Sequence, residues 1–96
     1  AKMPALPEDA RPYRRTATFD AATLPAGLRG RHTTREGTWA RIVVLEGAVT
    51  YRILEPTPRD LVLTPARVGV VEPGVAHQLV GDGPFALFVE FCRRGD

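Results

Sequence analysis

The sequence predicts an all-β domain in which antiparallel strands form a single sandwich or barrel. Three observations carry this. Short apolar and β-branched runs alternate with turn residues, and the 96 residues include 9 glycines and 9 prolines. Those breakers leave no window long enough for a helical period. Within several runs the apolar residues recur at every second position, the period of a strand with one buried face. A chain of this length suits one domain built around one core.

Taken in order, residues 1–13 carry Pro4, Pro7 and Pro12 among Glu8, Asp9 and Arg11 and read as an extended arm, with the barrel domain over residues 14–96. Arg15 to Phe19 reads as a first strand and Leu24-Pro25-Ala26-Gly27 as a turn. Further strands are predicted over 29–34, 39–46, 48–54, 60–64, 67–71, 75–80 and 85–92. Glu46-Gly47-Ala48 marks a tight bend between two hairpin-paired strands. Val49, Tyr51 and Ile53 share one face, and Thr50 and Arg52 the other. The last strand sets Phe85, Leu87, Val89 and Phe91 against Ala86, Phe88, Glu90 and Cys92. Being apolar on both faces up to Glu90, it is expected to be central or covered on both sides.

Composition narrows the function classes. Apolar residues make up 44% and charged residues 25%, ordinary for a globular protein, and the formal net charge is +2. The arginines are scattered and form no basic stripe interleaved with aromatics, so no nucleic-acid partner is expected. No apolar run approaches the ~20 residues that span a bilayer, and no apolar leader opens the chain, so no membrane partner is expected. Cys92 is the sole cysteine, which excludes an internal disulfide framework and fits a reducing cytoplasm. It has no base nearby in sequence and reads as a packing residue.

The chemistry-bearing candidates are the chain's two histidines. His32 falls in Arg31-His32-Thr33-Thr34-Arg35-Glu36-Gly37-Thr38-Trp39, and His77 closes Glu72-Pro73-Gly74-Val75-Ala76-His77. A neutral imidazole is the commonest side-chain metal ligand near pH 7. Each histidine taken alone reads first as a hydrogen-bonded core residue, since lone histidines usually are not ligands. In an extended segment His32, Thr34 and Glu36 share parity, and Trp39 could wall a pocket beside them. His77 shares a face with Val75 and Leu79, where a polar ring is costly unless it is hydrogen-bonded or bound to something. Glu90 is the reserve carboxylate.

Together the two segments resemble the paired motifs of the cupin superfamily. His32-Thr33-Thr34 fills the His-x-His place of the first motif, and Gly69 onward to Gly74-Val75-Ala76-His77 follows the second, with Pro73 shifted beside the glycine. Of the usual three histidines and one glutamate, His32 and His77 remain. Thr34 and Ala40 stand at the other two places. More narrowly, the chain resembles the small cupins of the tellurite-resistance TehB/YeaR-like family. That resemblance rests on Tyr13-Arg14-Arg15-Thr16, Leu24-Pro25-Ala26-Gly27-Leu28, Arg31-His32-Thr33-Thr34, Gly37-Thr38-Trp39-Ala40-Arg41-Ile42, Val44-Leu45-Glu46-Gly47, Pro73 to His77 and Glu90-Phe91.

The resemblance implies a cupin jelly roll and a small binding domain linked to tellurite or oxyanion resistance. A divalent ion, Zn or Ni, is the cofactor expected at His32 and His77, with Thr34, Glu36, Trp39 and Glu90 around the opening. A small molecule or oxyanion is the expected ligand. The polar arm and the exposed sheet edges lead to a homodimer as the expected assembly. The alternatives are a small cupin-type metalloenzyme and a structural homodimer module without chemistry. No catalytic residue is assigned.

Overall fold

Strand alternation governs this chain almost throughout. The computed structural model describes residues 2–81 and 83–95; position 1 of the arm and positions 82 and 96 of the barrel domain lie outside the described residues. The elements run β1 (Ala10–Arg15), β2 (Phe19–Asp20), α1 (Ala26–Arg29), β3 (Trp39–Gly47), β4 (Val49–Ile53), β5 (Arg59–Leu63), β6 (Gly69–Val71), β7 (His77–Val80) and β8 (Phe85–Arg94). They form two antiparallel sheets, one ordered β1-β8-β3-β6 with β2 also paired to β8, the other β5-β4-β7. Neither sheet closes on itself, so the barrel expected from sequence is instead a pair of open sheets.

The core lies between them. Ala40, Ile42, Val44, Val71, Leu87 and Val89 of the larger sheet meet Val49, Tyr51, Ile53, Leu61, Leu63 and Leu79 of the smaller one in a single cluster. Each fully buried aliphatic side chain of this kind contributes about 1.5–3 kcal/mol. Gly69 belongs to the same interior, since a Cβ there would stand 2.7 Å from Leu63 Cδ1 and 3.3 Å from Ile42 Cβ. As its composition predicts, β8 is central, flanked by β1 and β2 on one side and β3 on the other.

Three expectations change. Residues 29–34 are not a strand. Pro25 enters a helical turn in which Leu28 N–H bonds the Pro25 carbonyl at 3.0 Å and Gly30 N–H bonds that of Ala26 at 3.1 Å. Only His32 then touches a sheet. The bend at Glu46-Gly47-Ala48 joins no hairpin. Gly47 still pairs with Phe85 of β8, and at φ 72° it carries the chain from one sheet into the other. Finally, the strand expected over Arg15 to Phe19 is broken: β1 ends at Arg15, residues 16–18 lie outside the strands and β2 starts at Phe19. β1 itself begins at Ala10 and lines the edge of β8 from Ala10↔Arg94 to Arg15↔Glu90.

The arm therefore lies against its own domain. Asp9 pairs with Arg94 at 3.1 Å, Val70 N–H approaches Met3 Sδ at 3.4 Å, and Arg59 Nη1 donates to the Lys2 carbonyl at 3.0 Å. Met3 also packs on the core. The arm, whose polarity was one ground for expecting a homodimer, thus pairs from Ala10 onward along the edge of β8 in its own chain. Among the described residues, no helix is long and apolar enough to cross a membrane.

Candidate functional site: a histidine pair between the sheets

His77 reaches the interior because of the turn that precedes it. Pro73-Gly74 bends the chain, with Gly74 at φ 72°, and β7 starts at His77 opposite Ile53 of β4. Parity puts His77 and Leu79 on the inner face, and both are buried. His32 arrives from the other side. Its N–H donates to the His77 carbonyl and its carbonyl accepts from the His77 N–H, both at 2.8 Å. This reciprocal pair is an isolated antiparallel bridge on the free edge of β7. Residues directly opposite in such a pair project to the same face. The two rings meet edge to face, 5.4 Å between centroids and 79° between planes.

Both rings line one interior cavity with Leu28, Thr34, Ala40, Ile42, Val71, Leu79, Val89 and Phe91. Its volume of about 20 Å³ suits roughly one water-sized guest. Glu55 ties the bridge together from outside. Its Oε1 accepts from Ala76 N–H at 3.1 Å and its Oε2 from Arg31 Nη2 at 3.3 Å, so one carboxylate holds the neighbours of both histidines.

The surroundings set the state of His77. Burial, the largest influence, lowers its pKa below 6.5; the Val75 carbonyl opposes this and the nearby His32 adds to it. The imidazole is therefore neutral at pH 7. Nδ1 lies 3.0 Å from the Val75 carbonyl oxygen, which can only accept, so Nδ1 carries the proton. Nε2 then keeps its lone pair, the arrangement a metal-ligating histidine needs. The Tyr51 ring packs edge-on at 5.9 Å while its hydroxyl donates to the Val70 carbonyl at 3.0 Å.

Two imidazoles could give a divalent ion at most two protein ligands. Bonds of about 2.1 Å and near-tetrahedral angles would bring two ring centres to roughly 5 Å, close to the 5.4 Å observed. Among the described residues, however, no group of three or more His, Cys, Asp and Glu side chains gathers to hold a metal. A catalytic zinc site usually has three protein ligands. Water or a bound ligand would have to fill the remaining positions.

The other expected site residues divide. Thr34 lines the cavity, buried, with its hydroxyl donating to the Glu72 carbonyl at 3.2 Å. Glu36 is exposed in the turn before β3 and does not line it. Trp39 does not wall it, because Ala40 takes the inward position and Trp39 pairs with Cys92 on the outer face. Glu90 is buried on that outer face, bonded to Arg41 Nη1 at 2.8 Å and Arg15 Nη2 at 3.1 Å. Its carboxylate has these two partners already and is no reserve ligand. Burial pushes the Cys92 thiol up, with the Glu90 charge adding to it, so Cys92 is a packing residue. Sequence reasoning missed Glu55. Its pattern carries no local signal, since both its partners depend on the tertiary bridge.

Fold and site together define a class: a small antiparallel β-domain of two open sheets with a histidine pair in its interior. The chain belongs to the TehB-like domain family, whose match covers residues 14–89. It is similar in fold to a protein from E. coli strain K12 known from a crystal structure, with a TM-score of 0.85, 23% identity, and 98% of this chain and 100% of that one covered. It is likewise similar to TehB from Haemophilus influenzae, with a TM-score of 0.82 and 21% identity over 91% of this chain. The chain spans only 32% of that TehB's length. No curated protein matches by sequence.

Proposed function

We propose that this chain is a small cupin-type binding domain whose His32–His77 pair grips a single divalent ion, Zn or Ni, in the service of tellurite or oxyanion resistance. The observation that carries the reading is the reciprocal backbone pair that opens two imidazoles onto one cavity. One ring is already in the ligating tautomer. Two facing sheets with the site between them agree with a cupin jelly roll, and the resistance role rests on membership of the TehB-like family. A bound ion of this kind would polarise an oxygen ligand as a Lewis acid. The protein's share is to desolvate His77 and orient the two rings: the reciprocal bonds and the Glu55 bond to Ala76 N–H hold the backbone, Val75 fixes one tautomer, and apolar side chains wall the cavity.

Elemental analysis of protein purified without chelator or affinity tag, then dialysed against Zn or Ni, tests the proposal. About one ion per chain is expected, falling to under about a tenth in His32→Ala/His77→Ala while the circular dichroism spectrum is unchanged. Wild-type protein that takes up no ion, or a double variant that takes up as much, overturns it.

A further inference from the structure

A second cluster lies at the end of the larger sheet, where Tyr13, Arg14, Arg35, Thr38 and Phe91 line a concavity of about 240 Å³. Two local features build it. In a regular strand Tyr13 and Arg14 would point to opposite faces, but the register of β1 on β8 shifts between Pro12 and Arg14. That bulge lets both residues line the same hollow. The turn 35–38, with Thr38 N–H bonded to the Arg35 carbonyl at 2.9 Å and Gly37 at φ 78°, brings Arg35 beside Thr38. The Tyr13 and Thr38 hydroxyls stand 3.3 Å apart, and Arg93 covers the Tyr13 ring at 4.7 Å.

Charge makes the hollow distinctive. Among the described residues neither Arg14 nor Arg35 forms an ion pair. The nearby carboxylates are otherwise placed: Glu90 is held by Arg15 and Arg41, Asp9 by Arg94, and Glu36 is exposed in the turn without an ion pair. Two free guanidiniums offer forked N–H donors, and of the two mutually bonded hydroxyls one keeps its O–H free to donate to an anion's oxygen. We propose that Arg14, Arg35, Tyr13 and Thr38 form a binding site for a small, doubly charged oxyanion. The site is separate from the histidine cavity. Phe91 is the wall the two share. The inference stands apart from the metal reading and survives its failure.

The test is a titration of the whole chain with inorganic phosphate and sulfate at fixed ionic strength, followed through the arginine Nε–H resonances. Acetate and chloride are the controls. Saturable shifts at Arg14 and Arg35 are expected with the two dianions and not with the controls. Arg14→Gln/Arg35→Gln should weaken phosphate binding about tenfold or more, and Arg14→Lys/Arg35→Lys should weaken it less, since charge without the fork keeps part of the attraction. His32→Ala/His77→Ala should leave it unchanged. Phosphate that acts like chloride, or a glutamine double variant that binds as the wild type does, overturns the proposal.

Discussion

At the level of single residues, a few buried polar groups carry the account. His77 has a folded pKa below 6.5, so the unfolded chain takes up its proton first. The stability it contributes is complete above about pH 6.5 and is lost as the pH falls through the folded value. Thermal unfolding between pH 7.5 and 5 should show a falling Tm in wild type and a flatter profile in His77→Gln; parallel profiles would contradict the assignment. For Glu90, burial alone would raise the pKa, but the hydrogen bonds and charges of Arg15 and Arg41 outweigh it and hold the carboxyl below its ordinary value. Arg41 should matter more than Arg15, whose side chain is 62% exposed against 37%. Denaturant melts of Arg41→Gln should show a loss of about 1–2 kcal/mol, and of Arg15→Gln under about 1. The sequence made both histidines and Thr34 legible through motif and parity. It left Glu90 on the wrong wall because parity alone does not say which face of a doubly apolar strand turns inward.

Among the elements, the strands whose residues alternate cleanly were readable to within two residues, as in β4, β5 and β8. The misreadings fall where one residue changes the path. Thr33 and Thr34 look β-forming, yet after His32 the chain leaves the sheet edge and Thr34 bonds the Glu72 carbonyl instead. Gly47 looked like a hairpin turn because a glycine bend is the same in sequence whether the next strand pairs or crosses. Its backbone is at φ 72°, and an added Cβ would run into the Pro84 carbonyl oxygen. Gly47→Ala should therefore cost about 2–4 kcal/mol in chemical denaturation. An exposed glycine without such a neighbour, Gly27, gives a control in which alanine costs little. Glu55→Ala strips the Ala76 amide of its acceptor and should raise hydrogen exchange at Ala76 and His77 by about tenfold.

Over the whole molecule, the two sheets depend on segments that compositional reading treats as appendages. Met3, the Lys2 carbonyl and Asp9 all engage the domain, so removing residues 2–9 should lower stability by about 1–3 kcal/mol. Equilibrium unfolding of the trimmed chain checks this, and unchanged stability would show the arm to be dispensable. The all-β, antiparallel character was legible because it is written in local periodicity. The meeting of two residues 45 positions apart was legible only through the motif resemblance, since no local rule joins them. Whether these two imidazoles share one interior site is read from long-range proton–nitrogen correlation of the histidine rings during a Zn titration. His77 should start as the Nδ1-protonated neutral tautomer at pH 7, and the ring nitrogens of His32 and His77 should shift together, saturating at about one ion per chain. An Nε2-protonated His77, or two rings that respond independently or not at all, would contradict it.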